Sequence, residues 1–401
     1  MEKKYIKIVT YDNFPFGGAP ANFVRYFSLS LSLDINNDVE VILPTGNYGS
    51  RSNINKQRAD KIDKLKFRHL AFIKHPENFI GKFLDVMLGS ILPLFYFLRQ
   101  KYVKKVDTII IYNTRFTVTL LFLIIKWLTA TKLIIILPEY YEKPKSKYSV
   151  QKLNWLNFYY GIEYLVKKAD KFIVLSTYMS NFLIKKNVKN LNIFLLPNII
   201  DPDIFNLKDV RPYKENKITI GYSGTPTSKD GIDDLLDSFA LLCKKIENVH
   251  LLVIGDSPNG NSLIPKLKLK TDKLNITDKV SFTGMVPFQE VPRLLNSCQI
   301  LALTRPRGVF AEAGFPTKLG EYFACNKPVI VTNVGDIKNY FENGVHAIIV
   351  EPKNLESIVN GFCFLLENRQ IWDSLSQNGY CWVNQKLNYK LVYSKLNNFI
   401  K

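Results

Sequence analysis

The sequence predicts an α/β protein of two domains, each a doubly wound parallel sheet. Three observations lead there. Apolar strand-like runs alternate with longer amphipathic segments throughout. Those runs are near-continuously apolar, as parallel strands covered on both faces require. The 401 residues exceed one ordinary core, and a polar break divides the alternation into two series.

In the first series the expected strands are Ile6–Thr10, Val39–Leu43, Phe67–Phe72, Thr108–Tyr112, Leu133–Leu137, Phe172–Leu175 and Ile193–Leu196. Helices are expected near Ala21–Leu33, Ile80–Val103, Thr117–Thr129, Trp155–Lys168 and Thr177–Lys185. The polar, Pro-containing run Asn206–Asn216 reads as the linker. Strands then restart at Ile218–Tyr222, Val249–Ile254, Val280–Thr283, Ile300–Thr304, Val329–Thr332 and Ala347–Val350. The matching helices are Ile232–Lys245, Glu290–Asn296, Lys318–Cys325, Leu355–Leu366 and Ile371–Trp382. The expected domains are residues 1–205 and 206–386, with a final helix in 387–401 returning to the first.

Composition narrows the function. Hydrophobic residues make up 47% and charged ones 22%, which suits a globular chain. The opening MEKKYIKIVT has no apolar core or cleavage site, so a first strand is expected there and not a signal peptide. The apolar stretches Val86–Leu98 and Phe116–Ile125 are shorter than the ~20 residues a spanning helix needs. Five scattered cysteines without C-x-x-C spacing point to reduced thiols and a cytoplasmic setting. The four histidines have no metal-ligand spacing, and no metal is expected.

The net charge is +19, and residues 1–205 carry most of it, with 30 basic against 16 acidic side chains. That field favours an anionic partner. Dispersed basic residues without a recognition module argue against nucleic acid. The segment from Phe79 to Lys105, with Lys101, Lys104 and Lys105 at its end, fits either an interfacial membrane helix or an ordinary packed one.

The strongest local signal is the run from Gly314 to Phe323, GFPTKLGEYF. A Gly-containing turn brings Pro316 to the first helical position, so the N–H groups and dipole of the helix start face an anion such as a diphosphate. Glu321, one turn on, is placed to accept hydrogen bonds from a ribose diol. A solvated helix glutamate fits the same spacing. Upstream, Gly221 to Thr225 follows a strand and Lys229-Asp230-Gly231 opens a helix, a loop that lets backbone N–H groups reach phosphate oxygens.

Leu196-Pro197-Asn198-Ile199-Ile200-Asp201-Pro202-Asp203-Ile204-Phe205 resembles the segment that ends the first domain of family 4 glycosyltransferases. Other pieces resemble the same family in the same order. They are Gly17-Gly18-Ala19-Pro20, Gly224 with Lys229-Asp230-Gly231, Val253 to Asp256, Phe282 to Val286, Gly314 to Pro328 and Val329 to Thr332. The resemblance covers nearly the whole chain. It implies the GT-B fold, two Rossmann-like domains facing across a cleft, and retaining transfer from a nucleotide sugar without a metal or other cofactor.

Residue by residue, the resemblance assigns Gly224, Thr225, Lys229, Gly314, Phe315, Pro316, Thr317, Lys318 and Glu321 to the donor, with Glu321 on the ribose. Gly17 and Gly18 match the loop near the donor phosphate or acceptor; Glu139, after Leu133–Leu137, stands where the family often has a polar cleft residue, and Arg115 after its own strand is similar. Gly224 stands where many members carry an arginine, and Lys318 is expected to replace that charge. Lys229 lies one place before the usual phosphate-binding lysine, a position held by Asp230. The usual first motif glutamate is replaced by Ala313, with Glu312 beside it as a substitute.

Glu312 and Glu139 are the catalytic candidates, and Glu139 fits an acceptor contact or a surface loop acid equally well. Asp201-Pro202-Asp203 reads as a structural turn and not as a metal-binding pair. The expected function is transfer from a UDP- or GDP-sugar to a hydroxyl of a glycan or lipid-linked glycan in surface polysaccharide synthesis. The expected location is the cytoplasm, peripheral at the inner membrane face. A nucleotide-sugar epimerase and a non-catalytic donor-binding subunit stay open as alternatives.

Overall fold

The computed structural model describes residues 3–15, 17–48, 57–62, 64–103, 106–144, 150–257 and 261–401. Lys104 and Lys105 lie outside them. The chain forms two compact units, Met1–Ile199 with Tyr389–Lys401, and Ile200–Asn388.

The first unit holds strands β1 (Lys4–Val9), β2 (Asn37–Leu43), β3 (Ala59–Ile62), β4 (Leu65–His69), β5 (Thr108–Tyr112), β6 (Lys132–Leu137), β7 (Lys171–Val174) and β8 (Ile193–Leu195). They form one sheet in the order β3-β4-β2-β1-β5-β6-β7-β8. All pairs are parallel except β3 with β4. Its helices are α1 (Ala19–Leu31), α2 (Phe79–Val103), α3 (Phe116–Thr129), α4 (Val150–Tyr160) and α5 (Thr177–Lys185).

In the second unit, β9 (Ile218–Ser223), β10 (Val249–Ile254), β11 (Val280–Phe282), β12 (Ile300–Leu303), β13 (Val329–Thr332) and β14 (Ile348–Val350) form an all-parallel sheet. Its order is β11-β10-β9-β12-β13-β14. The helices are α6 (Ile232–Lys245), α7 (Ile264–Lys273), α8 (Val291–Asn296), α9 (Val309–Ala313), α10 (Thr317–Ala324), α11 (Ile337–Tyr340), α12 (Leu355–Glu367) and α13 (Trp372–Leu387). The last helix, α14 (Tyr389–Ile400), belongs to the first unit, where Phe399 stacks on Phe194 with ring centroids 5.2 Å apart.

Three expectations need correction. The segment Trp155–Lys168 is not one α-helix: α4 passes into a π turn at Gly161–Leu165 and a 3-10 turn at Val166–Lys168. Gly161 marks the change, because a Cβ there would lie 2.7 Å from the backbone nitrogen of Phe116. The strand expected to reach Phe72 stops at His69. The apolar stretch Val86–Leu98 belongs to a helix of 25 residues, long and apolar enough to cross a bilayer.

That helix nevertheless connects β4 to β5 within one sheet, so both its ends stay with the same domain. Its buried residues, Asp85, Gly89, Pro93 and Phe97, form a single i, i+4 line. A Cβ at Gly89 would meet Thr45 at 2.5 Å, so glycine permits the close approach to the end of β2. The fully buried Asp85 accepts from Gly46 N–H through both carboxylate oxygens, at 3.0 and 3.1 Å, and lies 2.6 Å from His75 Nδ1. Tyr96 donates to Glu40, which is also paired with Lys7 and Arg68.

Replacing Asp85 by alanine leaves a buried N–H and an imidazole without their acceptor. It is expected to cost about 2–3 kcal/mol. A urea titration of Asp85→Ala should therefore show a clearly lowered midpoint; an unchanged midpoint would contradict the anchoring role.

Candidate functional site

In open parallel sheets ligands bind beyond the carboxyl ends of the strands. In the second unit this edge is built by glycines. Gly224, just after β9, has φ +124°, and its N–H donates to Ile254 O at 2.8 Å. Gly255, just after β10, has φ +105° and packs so close that a Cβ would lie 2.7 Å from Gly224 O. Gly231 has φ +73°, and a Cβ there would meet Thr304 O at 1.8 Å. Thr304 in turn donates to Gly231 O at 2.8 Å. The loop carrying Lys229 and Asp230 is thereby fastened over the ends of β9 and β12.

Helix α10 begins at the same edge. Pro316 stands at its N-cap and Thr317 at the first helical position, one residue later than expected. Proline fits the N-cap because it extends the chain at φ −70°, ψ 110° and needs no helical partner. The buried Tyr322 ties the helix to the sheet, its hydroxyl accepting from Ser223 N–H at 2.8 Å. Phe315 is buried against Tyr340, with centroids 5.9 Å apart, so its side chain is a wedge that fixes the turn after Gly314.

Lys318, expected to replace the charge of the usual arginine, is itself paired. Its ammonium is hydrogen-bonded and ion-paired to Asp230 and lies 5.3 Å above the Tyr222 ring. A Cβ on Gly224 would come within 2.0 Å of Lys318 Cε, so the absence of a side chain there makes room for Lys318. Asp230 also faces Arg305, with Nε 3.6 Å from Oδ1. Burial pushes the Asp230 carboxyl up, but Lys318 and Arg305 outweigh it and hold the group below its ordinary value. Tyr222 Oη completes the cluster, 2.9 Å from Asp230 and 2.8 Å from Thr225 O.

Arg305 escaped the sequence reading. Its signal was a cation directly after the strand Ile300–Thr304, at the edge where parallel sheets bind ligands. Its guanidinium lies 5.5 Å from the Phe310 ring centroid, and exposed Lys229 holds its ammonium 5.8 Å from the same ring.

Glu321 follows Lys318 by three residues, so one helix face carries both. Burial raises the Glu321 carboxyl to about 7, against the opposing pull of Lys318. Glu312 is half-buried on α9, while Ala313 beside it is fully buried. Asp201-Pro202-Asp203 forms a 3-10 turn over Pro202–Ile204, in which Asp201 Oδ1 accepts from Asp203 N–H at 3.3 Å.

The first unit holds a cavity of about 530 Å³ lined by Gly18 and Arg115, with Tyr11, Asp12 and Tyr48. Gly17 lies beside it at the start of α1, where a Cβ would meet that of Ala21 at 2.7 Å. Burial raises the Asp12 carboxyl; Arg115 opposes this and Glu139 adds to it. Glu139 is half-buried close by, without lining the cavity.

This edge chemistry coincides with a family match. Residues 203–382 match glycosyl transferases, group 1. The match lies wholly within the second unit. The uncharacterised glycosyltransferase MJ1178 of Methanocaldococcus jannaschii is 25% identical over 59% of this chain and 63% of its own length. The capsular polysaccharide biosynthesis glycosyltransferase CapM of Staphylococcus aureus is 25% identical over 46% of this chain and 47% of its own. The chain thus spans about half to under two thirds of these curated relatives. Anabaena Alr3699/HepE, solved in complex with UDP, aligns over 98% of both chains with a TM-score of 0.72 at 16% identity. Two parallel-sheet α/β units with that likeness give the GT-B fold.

The raised Glu321 carboxyl has a consequence for stability. A carboxyl whose folded value lies near 7, above its ordinary 4.5, favours folding below 4.5 and loses that contribution as pH rises through 7. Without nucleotide, Glu321→Gln should match the parent in melting temperature at pH 4.5 and exceed it by roughly 3–6 °C at pH 8. A difference that does not change with pH, followed by calorimetric scanning, would contradict the raised titration of this carboxyl.

Proposed function

We propose that the protein is a retaining glycosyltransferase that uses a UDP- or GDP-sugar and transfers the sugar to a hydroxyl of a glycan or lipid-linked glycan. The observation that carries this is the edge of the second unit, where Lys318 and Arg305 meet Asp230 at the start of α10, the helix that also carries Glu321. Cations and a helix N-terminus suit a diphosphate, and a carboxylate one turn along suits a ribose diol. UDP in Alr3699/HepE and the capsular role in the name of CapM support the donor class and the polysaccharide setting.

In this reading the bond from the anomeric carbon to the diphosphate oxygen breaks, and the electron pair leaves with the diphosphate. Lys318, Arg305 and the helix dipole stabilise that charge as it develops. The acceptor hydroxyl attacks from the same face, and its proton passes to the departing phosphate oxygen. No metal or other cofactor enters the scheme. Gly224 and Thr225 border the phosphates, and the Gly314 turn meets the sugar. Lys229 adds positive charge from the loop. Glu312 takes the sugar contact that Ala313 cannot make. Gly17, Gly18 and Arg115 serve the acceptor or its phosphate, with Glu139 at the margin. The working location is the cytoplasmic face of a membrane, in peripheral contact with anionic lipid.

Charge-assisted hydrogen bonds contribute about 1.5–3 kcal/mol each, so Glu321→Ala should weaken UDP or GDP binding by ~10-fold or more. Titration calorimetry of the folded variant decides it: unchanged nucleotide affinity removes the ribose role.

A further inference from the structure

Helices α2, α3 and α4 pack side by side in the first unit and leave large apolar side chains exposed. On α2 the narrow buried line of Asp85, Gly89, Pro93 and Phe97 leaves Phe83, Ile91 and Phe95 outside. On α3 the exposed residues Phe116, Leu120, Ile124 and Trp127 follow helical spacing, and Trp127 is 81% exposed. On α4, Val150, Leu153 and Tyr160 do the same. These are stripes on adjacent helices, where a solvated surface would carry mixed polar residues.

The charges are as one-sided as the apolar stripes. The three helices carry Lys82, Arg99, Lys101, Lys126 and Lys152, of which Lys126 is paired with Asp170 at 2.6 Å. Their one acidic residue, Asp85, is fully buried and engaged with Gly46 and His75. Docking a second copy on this face would set cation against cation, since a two-fold interface presents the same patch from both sides. An anionic bilayer meets both features at once: apolar side chains enter the acyl boundary and the cations meet head groups.

We propose that the α2–α3–α4 face is the surface by which the protein lies on an anionic lipid bilayer. This gives a place on the molecule to the membrane contact in the functional reading and rests on that reading only for its purpose. Val86, 54% exposed on α2, also lines the cavity that holds Arg115, together with Ser90 of α2, Val118 of α3 and Asn157 of α4. The same three helices therefore join the face to that cavity, so a docked chain holds the cavity beside the lipid head groups.

The test is co-sedimentation of the full chain with phosphatidylcholine vesicles, with and without about one third phosphatidylglycerol. Binding is expected only with the anionic lipid and is expected to fall as salt rises. Phe83→Ser with Trp127→Ser, and separately Lys82→Glu with Arg99→Glu, should each weaken it about 10-fold or more. UDP affinity by calorimetry should not change in either variant. Equal binding to neutral vesicles, retained binding in both variants, or lipid-free dimers that the variants abolish would each overturn the proposal. Vesicle binding that follows this pattern in a protein that binds no nucleotide would sink the functional reading and leave this surface standing.

Discussion

One ion pair ties together the strand-end edge of the second unit. Asp230 holds the ammonium of Lys318 in the space above Gly224, where any side chain on residue 224 would collide with it. The pair joins the loop after β9 to the first turn of α10, and Arg305 joins β12 to the same carboxylate. Two cations around one half-buried carboxylate leave a surplus of positive charge. That surplus lies beside the positive end of a helix dipole. In the proposed reading a diphosphate would compete with Asp230 for Lys318; the ion pair keeps that cation positioned in advance, so less order would have to be imposed on binding.

The backbone at this edge follows from the same constraint. Gly231 must pass against Thr304 O and Gly255 against Gly224 O, approaches that a Cβ forbids. Glycine at these places brings neighbouring strand ends close enough for side chains from separate loops to share one carboxylate. Sheet, loop and helix thus act as one support for a few polar atoms.

The central strands were legible because parallel strands covered on both faces must be apolar throughout. Thr108–Tyr112, Val249–Ile254 and Val329–Thr332 fall where their apolar runs begin and end. What escaped lacks that signal. β3 is an exposed edge strand, ADKI, with no apolar face. α7, IPKLKLKTDK, buries only Leu267 and Thr271. α9 and α11 are too short for a period to show. At the site, the Gly314 run pointed to a helix start, which α10 provides. Spacing could not reveal that Lys318 is paired, because Asp230 lies 88 residues away in sequence. Arg305 escaped for the same reason: its partner is set by the sheet order, with β12 beside β9.

In the proposed reading a diphosphate sits at the start of α10 with its ribose on Glu321. A crystal structure of the full chain soaked with UDP tests that most directly. Phosphate oxygens are expected within hydrogen-bond reach of Lys318 Nζ and the first turn of α10, and both ribose hydroxyls on the Glu321 carboxylate. Density for the nucleotide elsewhere, for instance with its phosphates on Arg115 in the first unit's cavity, would contradict it.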